Sequence, residues 1–447
     1  MPPAASLLNI ATIRRLWSHL VIRNVVMLYV LQLSTYLLPL LVLPYLSRVL
    51  SPEKYGTIAF AQFFMYYFLI LSEYGFGLTA TRNIAVNSHD LPAVSRIFSN
   101  VMAARVMLMA VGFVIMMGVV FATPKMRVNW PIFPIAFLGV VGNVLFPQWL
   151  FQGLQKMQHI VLRDLIAKTL SLIAIFIFVH SDKDYLLAAG LQSAGMVVAG
   201  SISLIIMPRV TGVHFLRPEW AGVWTELKHG WPVFLSLAAN TTYNSTNTFL
   251  LGLVAAPAMV AYYSNAYRLI VAIRGLVSPL VTAIYPYISR MAAGSGEDAV
   301  RFIRRYAFVI TAPFLAVSVG LLAGAPLLVK ILFGPKYVYT GVLLQVMSAS
   351  PFLYAISHCY CTYFMLAFGY NREWSRLILR SAVVNFVVLG PLLYLITPAM
   401  ALAITGIVID LFVAVSAYFF YRKHAGEAEH STAAGPLQSE VIPSVSE

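Results

Sequence analysis

The sequence predicts an all-α membrane protein with about twelve transmembrane helices. Of its 447 residues, 60% are hydrophobic and only 10% are charged, and the mean hydropathy is +0.81. A soluble domain carries about 25% charged residues, so this composition excludes an ordinary globular enzyme. One apolar run after another also exceeds the roughly 18 residues that indicate a membrane span.

The apolar runs are separated by short polar connections. The predicted spans lie near 24–46, 57–81, 97–122, 131–154, 161–180, 185–208, 230–253, 258–289, 305–332, 339–366, 375–396 and 398–421. Because even the longest connection is short, no soluble catalytic domain is expected. A secretory signal is not expected either, since the first run is too long for the apolar part of one and no small-residue cleavage site follows it.

Lys and Arg are distributed unevenly between the connections. With the segment 1–23 in the cytoplasm, the cytoplasmic side holds about three times as many of them as the outer side. This predicts that both termini are cytoplasmic in the inner membrane, including a disordered tail at 422–447. The anionic inner leaflet then accounts for most of the net charge of +14, and no nucleic-acid partner is expected.

The chain also shows signs of an internal duplication. When it is shifted by 205 residues, Pro52 aligns with Pro257, and shorter matches follow in the same order. The two predicted six-helix lobes, 24–208 and 230–421, are joined by a cytoplasmic linker at 209–229. An even number of spans per lobe gives a parallel repeat, and such transporters place their substrate route between the repeats.

Two charges of the first lobe lie at equal predicted depth on neighbouring spans. Glu73 lies roughly 13 Å into the membrane at 1.5 Å per residue, and Arg105 on the next span is equally deep. Two interpretations stay open. The residues form a buried ion pair that locks spans 2 and 3 together, or Glu73 binds and releases a proton or cation during transport.

The second lobe places polar side chains in spans 7, 8 and 12. Three amides share one face of span 7: Asn240, Asn244 and Asn247. Span 8 adds Asn265, Arg268 and Arg274, while Asp410 of span 12 is the only acid deep in this lobe. With no acid in span 7 or 8, we expect arginines without an acidic partner, lining a wet cavity that accepts an anion such as phosphate. The alternatives are hydrogen bonds between helices for the amides and snorkelling to an interface for the arginines.

Other chemistry is not expected. His358, Cys359 and Cys361 resemble a metal site by composition, but these positions diverge on a helix, so we expect no metal. No phosphate-binding glycine loop or nucleophile motif is present, so neither a cofactor nor an enzyme activity is expected. A proton or sodium gradient is the candidate energy source, with Glu73 and Asp410 as candidate coupling groups.

Three stretches together carry a resemblance to a known family: RVLSPEKYGTIAFAQ (48–62), SEYGFGLTATRNIA (72–85) and QWLFQGLQKMQ (148–158). They resemble the Wzx-type O-antigen and polysaccharide flippases of the multidrug/oligosaccharidyl-lipid/polysaccharide exporter superfamily. The resemblance covers most of the chain and implies two six-helix lobes in a MATE-like parallel repeat. Glu73 stands where the family usually has Asp, and Gln155 stands where an acidic residue is common.

The resemblance implies a flippase that moves undecaprenyl-diphosphate-linked sugar units across the inner membrane by alternating access. Arg268 and Arg274 are expected to bind the diphosphate and the amides of span 7 the sugars, with Asn265 and Arg105 as further binding candidates. Expected partners are this lipid-linked glycan and membrane lipid, and a polysaccharide polymerase and a chain-length regulator are further candidates. The alternative is a multidrug or small-solute exporter of the same superfamily.

Overall fold

The computed structural model describes residues 40–156 and 158–430, without the side chains of 158–159, 161–164, 239–247, 282–283 and 430. These residues form helices and connections, and no β-strand occurs among them, which confirms the predicted all-α class. The helices are α1 (Leu40–Val49), α2 (Pro52–Glu73), α3 (Phe76–Val86), α4 (Leu91–Ala122), α5 (Pro124–Arg127), α6 (Ile132–Val144), α7 (Gln148–Gly153), α8 (Gln158–Phe178), α9 (Tyr185–Thr211), α10 (Trp220–Val254), α11 (Pro257–Gly275), α12 (Val277–Gly294), α13 (Gly296–Phe333), α14 (Val338–Val346), α15 (Ser350–Tyr360), α16 (Asn371–Leu395) and α17 (Pro398–His430).

Several predicted spans consist of more than one helix. α2 and α3 are separated by Tyr74 and Gly75, which both have left-handed backbone conformations with φ of 47° and 83°. α6 and α7 are separated at Pro147, and a single residue, Leu276, lies between α11 and α12. Span 10 comprises α14, α15 and a π-helical turn at Cys361–Leu366. These interruptions place backbone groups without helical partners inside the membrane-spanning part of the chain.

Within the described ranges, eight helical stretches are long and apolar enough to cross a membrane, and some of them consist of successive helices, such as α2 and α3. A ninth is added if the helix pair Pro257–Val281 and Ile284–Gly294, bent by 43°, is counted as one span. α10 is not among them, because its middle is rich in Ser, Thr and Asn. The first predicted span lies largely outside the described residues, so the count of twelve spans stays a prediction.

The connection between α9 and α10 is bound along the surface of α4. The backbone N–H groups of His214 and Leu216 donate to the hydroxyls of Ser95 and Ser99 at 3.2 and 2.8 Å. Alternate residues of an extended chain lie about 6.6 Å apart, which is close to the 5.4 Å pitch of a helix. Alternate N–H groups of the connection therefore face hydroxyls on successive turns of α4. The predicted linker at 209–229 is therefore only partly a connection, since both flanking helices extend into it.

The chain forms two compact units. The first unit comprises residues 40–265 and 330–338 of the described chain, and the second comprises 266–329 and 339–430. In the first unit, large apolar side chains of α2, α6 and α10 pack together, with the Phe64 ring 5.9 and 5.2 Å from those of Phe133 and Phe249. The two predicted six-helix lobes are defined by sequence repetition rather than by contacts, and they stay a prediction.

The core of the second unit extends to the end of α17. Ala425 and Ala428 are only 6% and 3% exposed and pack in the same cluster as Phe364 and Tyr421. The prediction of a disordered tail from residue 422 is therefore wrong for residues 422–430, which are helical. These alanines form only a short apolar face in an otherwise polar stretch, and for this reason the sequence did not predict the last turns of α17.

Candidate functional site

The second unit holds an ion pair among its membrane-spanning helices. The guanidinium of Arg274, in the last turn of α11, pairs with the carboxylate of Asp410 in α17. Arg274 Nε also donates to Ser350 Oγ at 2.6 Å, and the guanidinium carbon lies 5.1 Å from the ring centroid of Tyr354. The Arg274 and Asp410 side chains are 23% and 13% exposed, so the pair is largely shielded. One acid, one hydroxyl and one aromatic face thus hold this cation.

The end of α11 explains why a cation is stable at this position. Arg274 is the penultimate residue of the helix, where the carbonyl ends of the aligned peptide dipoles carry partial negative charge. Asp410 lies in the interior of α17, so it gains nothing from a helix end and needs a cationic partner at this depth. The two charges therefore stabilise each other more than either is stabilised by its own helix.

The expectation that Arg274 lacks an acidic partner is corrected by this pair. No acid lies in spans 7 and 8, but the partner comes from α17, 136 residues further along the chain. Arg268 lies earlier on α11 and is half-buried. The role of both arginines in binding a diphosphate stays a prediction.

The predicted amide cluster lies only partly within the described side chains. Asn265 is fully buried in the first unit, where its Nδ2 donates to Ser47 Oγ at 3.0 Å and joins α11 to α1. The side chains of Asn240, Asn244 and Asn247 lie outside the described part, although α10 is helical throughout this stretch. Their predicted contact with sugars stays a prediction, as does that of Asn265.

Arg105 is 2% exposed and lies beside two of the helix interruptions. Its guanidinium donates to the carbonyl oxygens of Ser72, Asn143, Val144 and Phe146 at 3.1–3.4 Å, and to Asn143 Oδ1 at 2.8 Å. These carbonyls lie at the ends of α2 and α6, where the helical hydrogen bonds stop. Arg105 therefore joins the two interruptions, and its predicted role in substrate binding stays a prediction.

The stretches that carry the family resemblance meet beside this arginine. α3 packs against α7, where the Thr81 hydroxyl, which donates to the Gly77 carbonyl at 2.7 Å, also lies 3.3 Å from the Trp149 carbonyl oxygen. A Cβ atom at Gly153 would lie 2.7 Å from the Ile84 side chain, so only glycine allows the observed approach of the two helices. The second and third stretches are thus one packed substructure rather than two separate motifs.

Glu73 ends α2 and has an exposed side chain. Its carboxylate lies near the first turn of α3, because a Cβ atom built on Gly77 would lie 3.3 Å from Glu73 Oε1. The start of a helix favours a negative charge, so this position suits the carboxylate. Arg105 is buried whereas Glu73 is exposed, so the two side chains lie in different environments. Whether Glu73 is structural or couples transport to an ion stays open.

The sequence interpretation missed a polar stripe on α15 and the π-helical turn that follows it. Ser350, Tyr354, His358 and Thr362 follow one another at intervals of four, which places them on one helical face. The His358 ring lies 4.6 Å from that of Tyr354, and its Nδ1 lies 3.0 Å from Thr362 Oγ1. The regular spacing was the available signal. In the described part of the chain no group of His, Cys, Asp or Glu could hold a metal, and both cysteines are free thiols.

Comparison with known proteins assigns the chain to a family. The sequence profile of the polysaccharide biosynthesis proteins matches residues 21–292, which is more than half of the chain. A protein of Escherichia coli (strain K12) named "Putative O-antigen transporter" is 32% identical over 374 residues, covering 83% of this chain and 89% of the relative. The chain belongs to the polysaccharide biosynthesis protein family. A relative of the same name from Shigella dysenteriae is 30% identical over 376 residues and covers 83% and 93%.

Solved structures of two other proteins share the fold of this member of the polysaccharide biosynthesis protein family. An inward-facing multidrug resistance MATE transporter of the MOP superfamily has a TM-score of 0.70 at 14% identity, covering 90% of this chain and 99% of its own. The lipid II flippase MurJ has a TM-score of 0.65 at 11% identity, and the match covers 90% of each chain.

The predicted fold class and family resemblance are confirmed. The prediction that the chain is not an enzyme is also confirmed, because the curated relatives are named as transporters.

Proposed function

We propose that the protein flips undecaprenyl-diphosphate-linked oligosaccharides across the inner membrane for surface polysaccharide biosynthesis. The names of the curated relatives and the fold shared with a lipid II flippase support this proposal. The observation that carries it is the ion pair between Arg274 and Asp410. Arg274 provides a shielded cation for a phosphate, and Asp410 is the ionic partner of this cation when no phosphate is bound.

In this mechanism the diphosphate competes with Asp410 for Arg274. A diphosphate offers several oxygens to the planar fork of N–H groups, so it can replace the carboxylate with bidentate hydrogen bonds. Asp410 then lies in an apolar environment without its partner, which is costly unless the carboxylate binds a proton or a cation. The exchange of partners makes Asp410 the coupling group and links substrate binding to ion uptake from a proton or sodium gradient.

Other residues take subsidiary parts in this proposal. Arg268 lies on the same helix as Arg274 and supplies a second cation, while the amides of α10 hydrogen-bond the sugars. Rocking of the two six-helix lobes, with both termini in the cytoplasm, exposes the site to each side in turn. A polysaccharide polymerase and a chain-length regulator would receive the exported units. Glu73 is a second candidate for ion coupling.

The alternative of a multidrug or small-solute exporter is supported by the fold alone, because the MATE transporter is only 14% identical. A measurement of drug susceptibility distinguishes the two functions. Expression of the chain in a strain that lacks drug exporters should leave its drug susceptibility unchanged, whereas a drug exporter would lower it.

A series of substitutions at Arg274 tests the proposed function in a strain that lacks its own O-antigen flippase. Arg274→Lys should restore part of the surface glycan, because ammonium keeps the charge but loses the planar fork. Arg274→Ala should restore little, and Arg274→Glu none, since it places two like charges beside each other and repels the diphosphate. Surface glycan is measured with protein abundance checked for every variant.

Arg290→Ala is the matched control, because this arginine of α12 is exposed and donates to the carbonyl of Pro286 in its own helix. It should export glycan at the parental rate. Lipid-linked glycan should accumulate in the failing variants, which separates a transport defect from loss of synthesis. Parental export by Arg274→Glu at normal abundance would contradict the role of Arg274.

A further inference from the structure

A groove of 490 Å³ opens on the second unit between α13, α15 and α17. Each helix lines it with residues spaced three or four apart, so one face of each helix borders the groove over two turns. At one end lie Arg304, Tyr360 and Tyr418, and at the other lie Thr311, Leu353 and Leu411. The volume falls within the roughly 300–1,000 Å³ typical of sites for small molecules.

The interior of the groove is apolar. Phe308 and Leu411 line it and are 72% and 48% exposed. The one hydroxyl at the deep end, that of Thr311, already donates to the carbonyl of Ala307 at 2.9 Å. Between its two ends the groove therefore suits a hydrocarbon chain and offers little to a polar ligand.

The charged residues beyond the arginine end are ordered in layers. The layer next to the groove holds only cations: Arg301, Arg304, Arg305, Arg422 and Lys423. The acids of the same two helices lie about one turn further out, at Glu297, Asp298, Glu427 and Glu429. Tyrosine side chains are typical of the level of lipid head groups, and two of them flank the groove at this end. A phosphate at this level would meet this cluster of cations, with the Glu429 carboxylate as the acid that competes for Arg304.

Arg304 retains capacity for a phosphate. Its Nη2 lies 2.6 Å from Glu429 Oε1, but the two side chains are 65% and 27% exposed, and exposed ion pairs of this kind contribute little. A guanidinium has five N–H groups, and the contacts with Glu429 and the Tyr421 hydroxyl occupy at most two of them. The variant Glu429→Gln removes this carboxylate and measures how far it competes with a phosphate for Arg304.

We propose that this groove binds an anionic glycerophospholipid, with one acyl chain along the groove and the phosphate at Arg304. The stripe from Arg304 to Thr311 spans about 10 Å, which covers most of one leaflet of a hydrocarbon core that is about 30 Å thick. The distribution of Lys and Arg places this end at the inner leaflet, whose lipids are the anionic ones. The site is separate from the Arg274 pair and does not depend on the transported substrate.

The bound lipid would contact the helices that hold the ion pair. Leu411 follows Asp410 directly on α17, and Leu353 precedes Tyr354 on α15. A chain lodged between these helices and α13 therefore stabilises the second unit in the conformation observed. We expect anionic lipid to raise the melting temperature of the purified protein more than a zwitterionic lipid does.

The test compares phosphatidylglycerol and phosphatidylcholine with identical acyl chains, bound to the purified full-length protein in detergent. Native mass spectrometry gives the affinity of each lipid, and thermal unfolding gives the stabilisation. Phosphatidylglycerol should bind several-fold more tightly. Arg304→Gln should weaken its binding about fivefold, as expected for one cation at a membrane surface. Ala307→Phe fills the groove without changing a charge and should weaken the binding of both lipids.

Two variants serve as controls. Arg301→Gln removes an equal charge one turn away, at a residue that pairs with Glu297 and does not line the groove, and should leave binding within twofold of the parent. Glu429→Gln removes the competing acid and should leave binding unchanged or tighter. Equal losses at Arg301 and Arg304, or full binding by Ala307→Phe, would overturn the proposal. So would displacement of phosphatidylglycerol by an equal amount of a polyprenyl phosphate, which would assign the groove to the substrate.

Discussion

Arg105 shows, at the scale of single residues, how backbone carbonyls accommodate a charge inside a membrane protein. Its N–H groups are bound by carbonyl oxygens whose helical partners are lost where α2 and α6 stop. The carbonyls of Asn143 and Phe146 also accept the backbone N–H groups of Phe146 and Gln148, whereas the buried carbonyls of Ser72 and Val144 depend on the guanidinium as a donor. The arginine and the two helix ends therefore require each other, and this explains a charge at a depth where it would otherwise be costly.

Replacement of Arg105 should destabilise the protein strongly. Arg105→Met keeps most of the volume but removes the guanidinium donor from the Ser72 and Val144 carbonyls, at a cost of about 3 kcal/mol. Arg96→Met on the same helix is the control, because Arg96 is exposed, and it should cost less than about 0.5 kcal/mol. Unfolding of the two purified variants in detergent measures both effects. Similar stabilities would contradict the structural role assigned to Arg105.

At the scale of helices, the break between α2 and α3 is fixed by packing against α10. The Tyr74 ring stacks on that of Phe234 at 4.8 Å, and a Cβ atom at Gly75 would lie 2.7 Å from Val233 Cγ1. The left-handed φ of 83° at Gly75 is also one that other residues rarely adopt. Both the conformation and the close approach therefore require glycine.

Gly75→Ala should lower stability by about 2 kcal/mol, since alanine in a left-handed conformation costs about 1–2 kcal/mol before the clash is added. Gly118→Ala is a matched control in the interior of α4, where a Cβ atom meets nothing within 4 Å. It should be neutral or stabilise the helix by up to about 1 kcal/mol. The opposite order of melting temperatures would show that the break does not depend on Gly75.

The end of α17 gives a second prediction at this scale. Truncation after His424 removes Ala425 and Ala428 from the core of the second unit, together with the partner of Arg304, so it should lower the melting temperature. Truncation after His430 retains these contacts and is the control. Unfolding of the two truncated proteins tests this boundary, and equal melting temperatures would mean that the last turns of α17 contribute nothing.

Hydropathy located most of these helices because a membrane span is encoded locally, by the length of an apolar run. The breaks could not be located in this way. SEYGFG has the composition of a continuing span, and its left-handed turn is set by contacts with Val233 and Phe234, distant in sequence. The partner of Arg274 was missed for the same reason, because Asp410 approaches it only through the packing of α11 against α17.

At the scale of the whole molecule, the fold does not decide what is transported. A multidrug transporter and a lipid II flippase both share it at 14% and 11% identity. The specificity must therefore come from side chains, and we propose Arg274 as one of them, because its charge suits an anionic head group. We propose that the protein moves a diphosphate-linked glycan, and that a phosphate replaces Asp410 as the partner of Arg274 during transport.

Transport by the purified protein in liposomes tests this claim most directly. Liposomes are prepared with a polyprenyl-diphosphate-linked oligosaccharide, and the glycan that reaches the opposite leaflet is measured with a glycosidase that cannot cross the membrane. The account predicts protein-dependent translocation, its loss in Arg274→Glu at equal protein content, and its retention in Arg290→Ala. Translocation by Arg274→Glu at the parental rate, or no protein-dependent translocation at all, would contradict it.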